Sequence, residues 1–241
     1  MPEKQKNPAR KRKTMSRNIF ITGTGTDVGK TYIAGLIVKK LHEAGIRAAY
    51  YKAGMSGNER RPDGTLIPGD ALHVKEMSGI VQPLEEMSPF VYEHAYSPHL
   101  ASRLEGNPVN FRKVREGFER VCRRYDFVTM EGSGGITCPL DFDTEELYLD
   151  QMIRRLGLSS ILVADAGLGT INSVVLTAEY MRNHGLPLNG IIFNNYHPGD
   201  VMEEDNLFMC QHLTGIPVIA KVKPGDAELE ISAEELMKLY D

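Results

Sequence analysis

The chain has 241 residues, of which 41% are hydrophobic and 25% are charged, and its formal net charge at pH 7 is −4. These fractions are typical of a globular protein and argue against a disordered, collagen-like or disulfide-scaffold protein. The acidic balance gives no electrostatic support for nucleic-acid binding. No stretch of sequence reaches the roughly 18 apolar residues of a membrane span, and the N-terminus lacks the apolar stretch of a signal peptide. We therefore expect a cytoplasmic protein with no membrane or nucleic-acid partner.

The first 16 residues differ in character from the rest of the chain. They are rich in Lys and Arg, contain Glu3 as their only acid, and have no apolar periodicity. Such a segment cannot offset the entropy cost of ordering, so residues 1–16 are predicted to form a disordered basic tail. Residues 17–241 are predicted to form a single α/β domain, a size that is common for this class. Three cysteines lie far apart, without the close pairs of a zinc or redox motif, and we expect them to be reduced: Cys122, Cys138 and Cys210.

After the tail, short apolar runs alternate with stretches of helical spacing. Asn18–Thr22 is predicted as a buried strand, Gly23–Gly29 as a glycine-rich loop, and Lys30–Ala44 as a helix that ends before Gly45. Asn58–Asn110 fits neither element and is predicted to be an excursion with short helices and substrate contacts. Further strands are predicted at Ala48–Tyr51, Phe127–Met130, Ser160–Ala164, Gly190–Phe193 and Val218–Ala220, with helical spacing at Leu147–Leu156 and Ser173–His184. This alternation predicts a mainly parallel sheet with helices on both faces.

The glycine-rich loop has the composition of a phosphate-binding loop. Residues 23–31 read Gly-Thr-Gly-Thr-Asp-Val-Gly-Lys-Thr between a strand and a helix. In that context backbone N–H groups face phosphate oxygens, Lys30 reaches the β- and γ-phosphates, and the Thr31 hydroxyl can bind Mg²⁺. Five residues separate Gly23 from Gly29, whereas the simplest pattern has four. The fold class is therefore predicted to be α/β and P-loop NTPase-like. Partition-type ATPases carry a second lysine five positions before the loop lysine, where this chain has Gly25.

Several segments together resemble the dethiobiotin synthetase family. The family loop is Gly-Thr-x-Thr-(Glu/Asp)-Val-Gly-Lys-Thr, which residues 23–31 match with Asp27 at the acidic position. The other matches follow in family order over residues 18 to about 195: Lys52 with Ser56-Gly57, Ser97-Pro98-His99, Glu131-Gly132-Ser133-Gly134-Gly135, Leu168-Gly169-Thr170-Ile171-Asn172, and Asn194.

The resemblance implies a reaction and a set of site residues. One amine of 7,8-diaminopelargonate would capture CO₂ as a carbamate, the carbamate would take the γ-phosphoryl group of ATP, and the second amine would close the ring. ATP is then a co-substrate, Mg²⁺ the cofactor, and a homodimer with substrate near the subunit interface the expected assembly. The implied catalytic residues are Lys30 and Lys52. The implied nucleotide-binding residues are Thr26, Asp27, Val28, Gly29, Lys30, Thr31, Tyr32, Asp70, Glu131, Gly132, Ser133, Gly134, Asn194 and Asn195. The implied substrate-binding residues are Thr26, Ser56, Leu168, Gly169, Thr170 and Asn172, and the implied metal ligands are Thr31, Asp70 and Glu131.

The residues around each implied site residue support its role to different degrees. A lysine at the end of a strand, such as Lys52, projects into the ligand crevice of an open α/β sheet, although by itself it could be a solvated surface lysine. Glu131 ends another predicted strand, where a carboxylate without a role would be costly if desolvated. Asp70 could instead be a helix cap, and Asp27 could simply favour a helix N-terminus.

The chain also departs from the family pattern. The family has Lys-Pro-Val-x-Ser-Gly where this chain has Lys52-Ala53-Gly54-Met55-Ser56-Gly57, so we expect a more flexible loop after Lys52 and leave substrate specificity open. The family's C-terminal Gly-x-(Ile/Leu)-Pro segment is replaced by residues 220–225, which leaves the nucleotide base open between ATP, CTP and other triphosphates. Two other functions stay open: the ATP domain of a cobyrinate-type amidoligase, and a nucleotide-sensing regulatory module.

Overall fold

The computed structural model describes residues 16–241, so residues 1–15 of the predicted basic tail over residues 1–16 lie outside the described residues. In chain order the elements are β1 Arg17–Gly23, α1 Lys30–Glu43, β2 Ala48–Lys52, α2 Gly69–Ser78, a 3₁₀ turn Leu84–Glu86, α3 Pro98–Leu104, α4 Phe111–Cys122, β3 Phe127–Glu131, β4 Pro139–Asp141, β5 Leu147–Tyr148, α5 Leu149–Leu156, β6 Ser160–Asp165, α6 Thr170–Asn183, β7 Leu188–Asn194, α7 Val201–Thr214, β8 Val218–Lys221 and α8 Ala233–Met237.

Six strands form one parallel sheet in the order β2-β3-β1-β6-β7-β8. Each of the six predicted strands lies within one of these strands, and the predicted α/β class with a parallel, P-loop NTPase-like sheet is confirmed. Strands β4 and β5 form a separate antiparallel pair. No helix in residues 16–241 has the length and apolar character needed to cross a membrane.

Alternate residues of each inner strand enter different cores, as the period of two in a strand requires. Ile19 and Ile21 of β1 pack with α1 and α2 on one face, and Phe20 packs with α4 and α5 on the other. A third core joins β6 and β7 to α6 and α7. The helices therefore cover both faces of the sheet, which explains why the central strands are mostly apolar on both faces.

Some element boundaries differ from the prediction. The stretch predicted as helical from Leu147 begins as strand β5, because its first two residues pair with β4, and α5 starts at Leu149. Helix α6 starts at Thr170, three residues before the predicted boundary. The Asn58–Asn110 excursion contains α2, the 3₁₀ turn and α3, in agreement with the short helices expected there.

The carboxyl edge of the sheet positions the candidate site. The loop after β1 follows the strand that lies between β3 and β6, so it sits at the point where connections diverge to either side of the sheet. Lys52 ends β2 and Glu131 ends β3, and the two residues pair directly in the β2–β3 register. Residues from three separate parts of the sequence thus converge at one edge.

Candidate active site

The phosphate loop has the backbone conformation of an anion-binding turn. Gly29 precedes α1 with φ 90°, and Asp27 has φ 60°, values that a loop wrapping around phosphate oxygens requires. No side chain caps the N-terminus of α1, so its first N–H groups face the loop without a side-chain acceptor. Lys30 Nζ donates to the carbonyl oxygen of Gly25 at 2.6 Å. Burial lowers the pKa of Lys30, since desolvation disfavours the charged ammonium.

Beside the loop, four side chains form a compact charged cluster. Lys52 Nζ lies 2.6 Å from Glu131 Oε1 and 2.7 Å from Asp70 Oδ2. The Thr31 hydroxyl lies 2.8 Å from Glu131 Oε1 and 3.3 Å from Asp70 Oδ1. Strand-end pairing explains the Lys52–Glu131 contact, and α2 brings Asp70 into the cluster from its first turn.

The cluster is largely shielded from water. Glu131 is fully buried and Lys52 is 6% exposed. Burial alone would lower the pKa of Lys52, but the negative charges of Glu131 and Asp70 outweigh it and hold that pKa above its ordinary value. Lys52 is therefore a permanently charged, fixed cation rather than a proton shuttle.

The cluster and the phosphate loop line one cleft of about 820 Å³. This volume suits a nucleotide together with a small substrate. The residues predicted from sequence that line it are Thr26, Asp27, Gly29, Lys30, Thr31, Tyr32, Lys52, Ser56, Asp70, Glu131, Ser133 and Gly134.

Other predicted residues do not line this cleft. The Asn194 side chain donates to the Val28 carbonyl oxygen at 3.2 Å and so supports the phosphate loop from behind. Asn195 donates to Asp165 at 2.7 Å, and the N–H of Gly132 donates to Ile21 at 2.9 Å.

The predicted substrate segment Leu168–Asn172 also lies outside the lining of this cleft. It connects β6 to α6 at the same carboxyl edge of the sheet and places Gly169 before the first turn of α6 with φ 91°. Leu168 is 90% exposed, and the buried Thr170 hydroxyl has no hydrogen-bond partner within residues 16–241.

The loop after Lys52 is held by several hydrogen bonds despite its departure from the family sequence. The Gly54 carbonyl accepts from the Ser133 hydroxyl at 3.2 Å, and Met55 exchanges backbone hydrogen bonds with Phe90 and Tyr92. Its greater flexibility stays a prediction.

Sequence reasoning missed four residues of the site: Tyr50, Ala95, Tyr96 and Cys138. Tyr50 donates its hydroxyl to Glu131 Oε2 at 2.7 Å, and its position two residues before Lys52 on the same strand face could have revealed it. Tyr96 and Cys138 line the cleft from loops, where no period in the sequence marks them. Cys138, like the other two cysteines, is a free thiol.

The donor set of the cluster fits Mg²⁺. This ion prefers hard oxygen ligands and is commonly bound by one or two carboxylates together with substrate phosphates. Asp70, Glu131 and Thr31 supply two carboxylates and a hydroxyl beside the phosphate loop. Within residues 16–241, no group of three or more His, Cys, Asp or Glu side chains suited to a metal occurs, so the cluster offers two carboxylates and the Thr31 hydroxyl.

The parallel sheet, the strand–loop–helix and the adjoining cluster define a P-loop nucleotide-dependent enzyme. The family model described as "AAA domain" matches residues 17–229. Among solved structures, a ParA family ATPase from Chlorobium tepidum superposes with a TM-score of 0.52 at 14% identity, covering 88% of this chain and 85% of that chain. Chloroplast FtsY from Physcomitrella patens superposes with a TM-score of 0.50 at 15% identity, covering 94% and 65%. These likenesses concern the fold alone.

Curated relatives identify the family. The chain is 42% identical over 217 residues to the ATP-dependent dethiobiotin synthetase BioD of Brachyspira hyodysenteriae, covering 90% of this chain and 96% of the relative. It is 44% identical over 208 residues to the protein of the same name from Clostridium perfringens, covering 86% and 91%. The chain belongs to the dethiobiotin synthetase family and is an ATP-dependent cyclo-ligase.

Proposed function

We propose that this protein converts 7,8-diaminopelargonate, CO₂ and ATP to dethiobiotin, ADP and phosphate with Mg²⁺. One amine nitrogen attacks the carbon of CO₂ and loses a proton, which gives a carbamate. A carbamate oxygen attacks the γ-phosphorus and ADP leaves, which gives a carbamic-phosphoric anhydride. The second amine nitrogen attacks the carbonyl carbon, expels phosphate and loses a proton to solvent, which closes the ureido ring.

The reaction concentrates negative charge on carbamate and phosphoryl oxygens, so it needs fixed positive charge more than proton transfer. Lys30 lies within the phosphate loop, where its ammonium already contacts a loop carbonyl, and we assign it to the β- and γ-phosphates. Lys52 is buried, charged and held by two carboxylates, and it lines the same cleft. We assign Lys52 to the carbamate and the transferring phosphoryl group.

Thr31, Asp70 and Glu131 would hold Mg²⁺, which when bound would supply further positive charge at the phosphates. The support for this assignment is that the Thr31 hydroxyl of the phosphate loop already contacts both carboxylates. The carboxylates also orient Lys52, because each accepts a hydrogen bond from its ammonium.

We assign contacts to both ends of the substrate, the two amines at one end and the carboxylate at the other. Thr26 and Ser56 line the same cleft as the cluster and would contact the reacting amines or carbamate. The start of α6 would receive the substrate carboxylate, since helix N-termini favour anions and the buried Thr170 hydroxyl there lacks a partner within the described chain.

We also propose a homodimer. Of the ten large apolar side chains that are exposed in residues 16–241, six lie on α6, on α7 or just before α6: Leu168, Leu176, Val201, Met202, Phe208 and Leu213. Exposed apolar side chains concentrated in one region of a protein commonly mark an interaction surface. A second copy covering this region would also bring the start of α6 close to an interface.

The observation that carries the proposed function is the contact of Lys52 with both Asp70 and Glu131 at the edge of the phosphate loop. A protein that only sensed a nucleotide would have little need for a buried lysine held by two carboxylates beside the phosphate loop.

The test is phosphate release assayed with diaminopelargonate, bicarbonate, Mg²⁺ and separate nucleoside triphosphates. We expect release only when diamine and bicarbonate are both present, and mass spectrometry should detect dethiobiotin. Equal phosphate release without the diamine would overturn the assignment and favour a regulatory module. Comparison of ATP with CTP would settle the base preference.

A further inference from the structure

The two carboxylate oxygens of Glu131 have different partners. Oε1 accepts from Lys52 and from the Thr31 hydroxyl, both of which face the cleft. Oε2 points away from them and accepts from the Tyr50 hydroxyl at 2.7 Å. Because Glu131 is fully buried, Oε2 would have no water to replace that donor. The Tyr50 hydroxyl therefore fixes the orientation of the Glu131 carboxylate, with one oxygen facing Lys52 and Thr31.

Tyr50 is itself held in place from two directions. Its ring is fully buried in the core beneath α1. Its strand, β2, is the edge of the sheet, where backbone groups would lack a neighbouring strand. The buried Gln82 side chain pairs these backbone groups instead. Its amide oxygen accepts from Tyr50 N at 2.8 Å, and its amide nitrogen donates to Tyr50 O at 3.0 Å. A chain of contacts thus runs from Gln82 through Tyr50 to Glu131.

From this geometry we propose that Tyr50 is a positioning residue that holds Glu131 in the rotamer required for Mg²⁺ and Lys52. The proposal rests on the proposed role of Glu131 as a metal ligand. Hydrogen-bond partners of a metal-ligating carboxylate typically affect metal affinity because they orient the ligand before the metal arrives. Tyr50 does not line the cleft, so it would act on the metal only through Glu131.

The strand also provides a matched control. Tyr51, the next residue, is equally buried and donates its hydroxyl to the Val114 carbonyl oxygen at 2.8 Å. Because successive strand residues point to opposite faces, Tyr51 lies in the core of α4 and α5, away from Glu131. Tyr50→Phe and Tyr51→Phe therefore remove the same atom and one buried hydrogen bond each.

The experiment measures Mg²⁺ dependence without turnover. A non-hydrolysable ATP analogue is titrated by calorimetry at a series of Mg²⁺ concentrations, and thermal unfolding of each variant is recorded. Tyr50→Phe should raise the Mg²⁺ concentration for half-maximal enhancement of binding by about 10- to 100-fold. Tyr51→Phe should leave it unchanged, although both variants should lose some thermal stability. Nucleotide affinity without Mg²⁺ should be the same in all three proteins.

Equal Mg²⁺ requirements in the two variants would overturn the positioning role and leave Tyr50 as a packing residue. If Tyr50→Phe does not fold, the same Mg²⁺ titration is made with Gln82→Met. This substitution removes the two hydrogen bonds to the Tyr50 backbone and keeps the Tyr50 hydroxyl. A raised Mg²⁺ requirement in Gln82→Met supports the proposal, and an unchanged one overturns it. Nothing in this assay requires the diamine, so a failure here is distinguishable from a failure of the wild-type protein to form dethiobiotin.

Discussion

Replacing Lys52 with alanine separates the structural from the chemical role of the charged cluster. The substitution removes the ammonium that bridges Glu131 and Asp70. Removing one partner of a buried ion pair costs about 3–5 kcal/mol, because the remaining charge stays desolvated. Glu131 is fully buried, but the Asp70 side chain is 35% exposed and water can replace its lost partner. We therefore expect the lower end of that range, about 3 kcal/mol of unfolding free energy.

For a chain of this length, that loss corresponds to a melting temperature lowered by roughly 6–12 °C. Part of the lost melting temperature should be restored when Mg²⁺ is added, since a divalent cation can neutralise the two carboxylates in place of Lys52. Scanning calorimetry with and without Mg²⁺ measures both effects. Lys238→Ala, at an exposed lysine near the C-terminus, is the control and should melt like wild type.

Kinetics and binding complete the test. Lys52→Ala should keep much of the nucleotide affinity and lose about 10²-fold or more in kcat, the scale for removing one preorganised electrostatic group. Lys30→Ala should weaken nucleotide binding as well as turnover, since its ammonium lies inside the phosphate loop. Calorimetric Kd values and single-turnover rates at saturating diamine and bicarbonate distinguish the two. A Lys52→Ala variant with wild-type melting and near-wild-type turnover would refute both the buried ion pair and the catalytic assignment.

Two further predictions concern the phosphate loop and the cleft wall. Gly29→Ala should weaken nucleotide binding, because an added Cβ would overlap the Asn194 amide that supports Val28, at a backbone with positive φ. Gly45→Ala, with positive φ and open space around it, should cost only about 1–2 kcal/mol of stability and keep binding intact. Nucleotide titration and thermal unfolding of both variants check this, and equal binding in the two would contradict the steric argument. Burial raises the pKa of Cys138 from its ordinary 9.0 to about 11, so at pH 8 its thiolate fraction is about 100-fold lower than that of a free cysteine. Alkylation followed by mass spectrometry should show slow modification of Cys138, and bound nucleotide should slow it further. Modification at the rate of free cysteine would contradict the raised pKa of this thiol.

The phosphate loop and the sheet could be predicted from sequence because their signals are local. Each central strand is a short apolar run between turn residues, and residues 23–31 place the loop between a strand and a helix. The ends of the helices and strands are harder to predict from sequence. The residues of β5, for example, have helical spacing but pair with β4. Pairing with a strand that is distant in sequence can override a local helical pattern, and the local pattern gives no sign of it.

What the sequence determined by itself was the class of fold, the phosphate loop, and the resemblance that selects Lys52, Asp70 and Glu131. Tertiary structure decided how these residues meet, because the register that sets Lys52 opposite Glu131 joins positions 79 residues apart. It also decided that Asn194 supports the loop through Val28 instead of lining the cleft. Tyr50 shows the same limit: strand alternation places it on the face of Lys52, but no local pattern shows that its hydroxyl meets Glu131 of a different strand. Only the packing of β2 between its two cores directs one hydroxyl to a buried carboxylate and the other to a helix carbonyl, because alternate strand residues must face opposite sides of the sheet.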